Sequence, residues 1–130
     1  MKGGSTNIEL EQKAEKLKLK NFRGALMRDE LSFRPRQNEC GILNLDSKTG
    51  KGSHWVCWHK AGRDKFYFDS FGVQPPLELI KYLSPPILYS TYQIQQYNDS
   101  NCGEWCIYVL NELNKGGDFF DIILGIVNDK

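Results

Sequence analysis

Apolar and polar residues alternate along this chain with two periods. Between Ile8 and Lys20 the apolar residues Leu10, Ala14 and Leu17 recur at helical spacing among glutamates and lysines that suit a solvated face, and Asn7 stands where a helix cap belongs. Met1 to Asn7 reads as a lead, so residues 1–20 are expected to form an exposed amino-terminal arm and helix lying on the body. Phe22 to Leu31 has no decisive period, and Arg34 to Asn38 reads as a loop. Cys40 to Leu45 is a short strand pattern, and Asp46 to Gly52 is rich in turn formers. His54 to His59 has period two, placing His54, Val56 and Trp58 on one side and Trp55, Cys57 and His59 on the other. Phe66 to Asp69 returns as its hairpin partner.

Pro75-Pro76 opens a helix from Leu77 to Leu83, stopped by Ser84-Pro85-Pro86. Ile87 to Ile94 is expected as a strand, and a polar loop, Gln95 to Asn101, delivers the chain to Cys102. The helix that begins there buries Cys106, Val109, Leu110 and Leu113. Gly116-Gly117 breaks it, and Asp118 caps a last helix carrying Phe119, Phe120, Ile123, Ile126 and Val127. These elements predict a single α+β domain over residues 1–130. Its core is a central, mostly antiparallel sheet packed on a buried helix that carries Cys102 at its N-terminus.

Composition alters little. Seventeen basic and sixteen acidic side chains in 130 residues leave a formal charge of +1, which demands no nucleic-acid partner. The imbalance is local: residues 1–28 hold seven Lys or Arg against three Glu. No run of residues is apolar and long enough to span a membrane. The four cysteines, Cys40, Cys57, Cys102 and Cys106, read as free thiols in a reducing compartment. A structural zinc is disfavoured because His54 and Cys57 point to opposite faces of one strand. No glycine-rich phosphate loop is present. Tyr82, Tyr89, Tyr92 and Tyr97 read as sheet packing rather than stacking platforms.

The candidate chemistry centres on Cys102. A helix N-terminus offers unpaired N–H groups and a positive dipole end, both of which favour thiolate over thiol. His54 can serve as its base, and Asp69, at the end of the partner strand, can hold the far ring nitrogen of His54. Gln95 or Gln96 could aim an amide N–H at a developing oxyanion, with the Cys102 N–H as second donor. The plainer readings are that Asp69 only closes an Asx turn onto Phe71, that Cys40, Cys57 and Cys106 are core, and that His59 is a surface residue at a strand end.

Gly52-Ser53-His54-Trp55, then Tyr67-Phe68-Asp69-Ser70-Phe71-Gly72, then Gln96 six positions before Cys102-Gly103, resemble the adenovirus protease and Ulp/SENP clan of cysteine proteases. The resemblance spans residues 40 to 113, and the order His, Asp, Cys is that clan's. It implies that His54 is the general base, Asp69 its orienting carboxylate, Cys102 the nucleophile and Gln96 the oxyanion donor, with Gln95 the alternative. Trp55 and Gly103 would lie against substrate, Trp55 shielding the histidine. The implied activity is that of a thiol endopeptidase without a cofactor, of the compact viral maturation type. Capsid precursors and other polypeptides would be its substrates. A deconjugating protease for a ubiquitin-like modifier, an acyltransferase with the same triad and a non-catalytic virion or binding module are the alternatives. The resemblance also implies an intracellular place, host cytoplasm or nucleus, and packaging in the virion. A peptide or DNA activator is known in the clan, and the basic arm is the place for nucleic-acid contact.

Overall fold

The computed structural model describes residues 6–31, 33–46, 54–94 and 101–128. The first helix, α1 (Asn7–Lys16), is capped one residue earlier than expected. The Thr6 hydroxyl accepts the Glu9 N–H and the Glu9 carboxylate accepts the Thr6 N–H, a reciprocal capping box. The helix also ends before Lys20, because Lys18 takes a left-handed backbone (φ 57°), and this leaves Leu17 exposed. Leu10 and Ala14 are buried against the body, so the arm has a docked face as well as a solvated one.

The stretch without a clear period is a strand, β1 (Phe22–Met27), followed by a 3-10 turn at Arg28–Glu30. Its alternation is broken by an irregularity between Phe22 and Ala25 and by Gly24 at φ 123°. Glu11 of α1 accepts the Ala25 N–H at 3.0 Å. Next come β2 (Asn38–Asn44), β3 (Trp55–Ala61) and β4 (Asp64–Phe68), three antiparallel strands with a tight turn at Gly62 (φ 62°). The helix α2 (Leu77–Leu83) occupies the predicted residues, and β5 (Leu88–Tyr89) completes a sheet ordered β1-β2-β3-β4-β5. Both edge strands run parallel to their neighbours, so the antiparallel character belongs to the middle of the sheet.

The expected strand Ile87 to Ile94 is thus mostly not in the ladder. Its partner β4 ends at Phe68 and turns away, and the segment follows that turn, with the Ile94 N–H bonded to the Ser70 carbonyl at 2.8 Å. The long helix α3 (Cys102–Asn114) and the last helix α4 (Phe119–Asn128) cover one face. Asp118 caps α4 by accepting the Asp121 N–H. Phe119 takes the inward position, stacked on Phe66, which turns Phe120 outward.

The period-two reading of β3 describes the core. Trp55 and Cys57 join the cluster under α1, α3 and α4, which includes Cys106, Val109, Leu110 and Leu113. Val56 and Trp58 join a second cluster with Leu79 and Leu83 of α2. Each such side chain contributes about 1.5–3 kcal/mol of burial, and cover on both faces explains why β3 is so densely apolar.

Candidate active site

Three elements converge where the central strands end. His54 stands one residue before β3 and Asp69 one residue after β4, so the hairpin brings together side chains fifteen positions apart. The His54 Nε2 and Asp69 Oδ1 atoms are 2.6 Å apart, with His54 6% and Asp69 1% exposed. Oδ1 of Asp69 also accepts the Phe71 N–H at 2.8 Å, so the Asx turn and the contact with His54 are made by one carboxylate. The Phe71 ring lies flat on the imidazole, centroids 4.0 Å apart and planes within 3°.

Cys102, at the first position of α3, comes from the other side of the sheet. The reason it fits there lies in β3. The His54 carbonyl accepts the Leu45 N–H, so in the alternation of a strand the N–H and C=O of Trp55 point toward β4. The β3–β4 pairing stops at Cys57 with Phe68, which leaves no strand to meet them. Two thiols one helical turn apart take those places. The Trp55 N–H donates to Cys102 Sγ at 3.3 Å, and Cys106 Sγ donates to the Trp55 carbonyl at 3.5 Å. Buried backbone groups need partners, and here α3 supplies both.

The electrostatics follow. Burial pushes the Cys102 thiol up, but the hydrogen bond to His54, the Trp55 N–H, the charge of His54 and the Gly103 N–H together bring it below its ordinary value. Burial pushes His54 down, and the hydrogen bonds to Asp69 and Cys102 outweigh it, raising the imidazole to about 9. The arrangement favours a thiolate–imidazolium pair. Below about 9 His54 holds its proton, and the thiolate persists down to the lowered value of Cys102. Cleavage that needs both forms is therefore expected to give a bell-shaped kcat/KM profile with its alkaline limb near 9. An alkaline limb near the ordinary imidazole value of about 6.5 would show that Asp69 does not hold the proton on His54.

The remaining residues named from the sequence fall differently. Gly103 is buried behind Cys102 and contributes its N–H. The Trp55 side chain is 4% exposed and belongs to the core, so what this residue presents to Cys102 is its backbone. Gln95 and Gln96 lie outside the described residues, as do Gly52 and Ser53. His59 is half-buried rather than a surface residue, and burial pushes it down. Phe71 and Cys106 join the site although the sequence motifs give them no part in it. An aromatic directly after an Asx-turn pair, and a second cysteine one turn along α3, were the available signals. Among the described residues, no cluster of His, Cys, Asp or Glu could hold a metal ion, and no helix is long and apolar enough to cross a membrane.

No family model and no curated protein matches the sequence. Solved structures do. The crystal structure of ASFV pS273R protease superposes with a TM-score of 0.66 at 16% identity, covering 91% of this chain and 60% of that one. The chain has that protease's fold. Its selenomethionine form gives a TM-score of 0.63 at 18% identity, covering 91% of this chain and 61% of that chain. This chain therefore spans about 60% of the length of the pS273R chains it matches. The α+β architecture, a five-stranded sheet with helices on it, is shared with them.

Proposed function

We propose that this chain is a cysteine endopeptidase. The observation that carries the reading is the convergence of Cys102, His54 and Asp69 from three separate elements, with the thiol lowered and the imidazole raised. The fold shared with a viral protease supports it. In this reading the Cys102 thiolate attacks the scissile carbonyl, and His54 passes its proton to the leaving amine. Water, deprotonated by His54, then releases the acyl group. The Cys102 N–H at the N-terminus of α3 is one donor to the oxyanion, and Gln96, or Gln95, is the other. The substrates are polypeptides, viral precursor proteins foremost.

Intact-protein mass after exposure to a glycine-ended peptide tipped with a thiol-reactive electrophile tests this. One adduct is expected on the wild type and none on Cys102→Ser. The count is one because Cys40, Cys57 and Cys106 are at most 1% exposed against 6% for Cys102, and burial pushes Cys40 up to about 12 and Cys106 well above an ordinary thiol while Cys102 is lowered. An unmodified wild type, or an adduct on another cysteine, overturns the proposal.

A further inference from the structure

The turn after β4 supplies more than Asp69. His54 is held at its edge by Asp69 on Nε2 and by a hydrogen bond with Cys102, and on one face by the ring of Phe71. Phe71 touches both the base and its carboxylate. Its N–H donates to the same Asp69 oxygen that meets His54 Nε2, and its ring lies parallel to the imidazole at 4.0 Å. The residue on its far side is pinned as well. Gly72 has φ 76° and donates its N–H to the Asp69 carbonyl, and a Cβ there would stand 2.6 Å from the Thr91 carbonyl oxygen. Phe71 is thus fixed from both sides, by the Asx turn before it and the close backbone contact after it.

We propose that Phe71 is a positioning residue that keeps the His54 imidazole in line with Asp69 and Cys102 and favours its protonated form. The inference rests on the nucleophile–base reading of Cys102 and His54. Two properties of the ring act on His54 in opposite senses. Its bulk excludes water, which disfavours the charged imidazole. Its π face is negative and attracts a cation placed over it, which favours the charged imidazole. A parallel stack with centroids 4.0 Å apart lies within the reach of the second effect. The stack also bars rotation of the imidazole about its Cβ–Cγ bond, a rotation that would turn a ring carbon toward Asp69. The charged groups that face His54 are Asp69, from the turn after β4, and Cys102, from the N-terminus of α3. Leucine at position 71 keeps the apolar cover and removes the π face, so it separates the two effects.

The test uses Phe71→Leu, Phe71→Met and Phe71→Tyr in the whole chain. His54 is titrated through its ring resonances in NMR, assigned against a His59→Gln variant, and Cys102 through the pH dependence of its alkylation by iodoacetamide. Loss of the ring is expected to lower the His54 midpoint by roughly 0.5–1 pH unit. The alkaline inflection of the Cys102 alkylation profile moves down with it, because above the His54 midpoint the thiolate has no imidazolium beside it. Phe71→Tyr restores both. The methionine variant stands in if the leucine variant fails to fold. Unchanged titration and alkylation in the ring-free variants, beside an activated wild-type thiolate, overturn the assignment of Phe71 alone. A wild-type Cys102 that alkylates no faster than free cysteine overturns this assignment together with the catalytic reading on which it rests.

Discussion

Replacing Cys102 with serine is expected to lower turnover of a glycine-ended peptide amide reporter by about 10⁴-fold or more while the fold is retained. A hydroxyl keeps the acceptor that the Trp55 N–H requires but is not ionised beside His54 near neutral pH. The comparison with Cys102→Ala separates the two duties of this side chain. Alanine loses the nucleophile equally and also strands the Trp55 N–H, at a cost of about 1–3 kcal/mol. Serine is therefore expected to be inactive with a near-native thermal midpoint, and alanine inactive and destabilised. Turnover in the serine variant within tenfold of wild type would remove Cys102 from the chemistry.

The second large effect lies outside the triad. Gly72→Ala puts a side chain on a residue at φ 76° and drives its Cβ to within 2.6 Å of the Thr91 oxygen and 2.8 Å of the Tyr92 oxygen. Both are backbone atoms, so no rotamer change relieves the collision. The left-handed conformation costs about 1–2 kcal/mol by itself, and separating the two segments adds about as much again. The thermal midpoint is expected to fall by roughly 10 °C. The turn from Asp69 to Gly72 must also shift, and it carries both the carboxylate and the ring that hold His54. Cys102 alkylation near neutral pH is accordingly expected to drop at temperatures where the variant is still folded. A variant with wild-type stability and wild-type alkylation would mean that the turn accommodates a β-carbon without moving.

Much of this architecture is legible in the chain because a few stretches leave little freedom. The helix after Cys102 has one apolar face with a spacing only a buried helix satisfies, and α3 buries those residues. The strand HWVCWH alternates between two apolar sets, and the two sets enter two different clusters. The convergence of His54 and Asp69 could be reached from the hairpin alone, because antiparallel pairing dictates which residues share an end. What resisted reading depends on distant partners. β1 is a strand because β2 lies beside it and Glu11 covers one of its amides, facts that FRGALM does not contain. ILYSTYQI has a strand's composition, but pairing length is set by the neighbour, and β4 ends early. Thr6 rather than Asn7 caps α1 because Glu9 completes a reciprocal pair with it. The role of Phe71 is invisible without knowing that the turn folds its ring back over His54.

The early end of β4 leaves the Trp55 amide bonded to sulfur instead of to a carbonyl. An amide in the middle of a sheet ordinarily reports only whether the sheet is intact. This one has as its acceptor an atom whose charge changes with ionisation and with chemistry, so its proton resonance and its exchange with solvent become a gauge of the thiol. Ionising Cys102 strengthens the bond, and capping the sulfur with carbon weakens it. Occupancy of the nucleophile by a covalent inhibitor or an acyl group can thus be followed from a single backbone signal, with no label on the compound that binds.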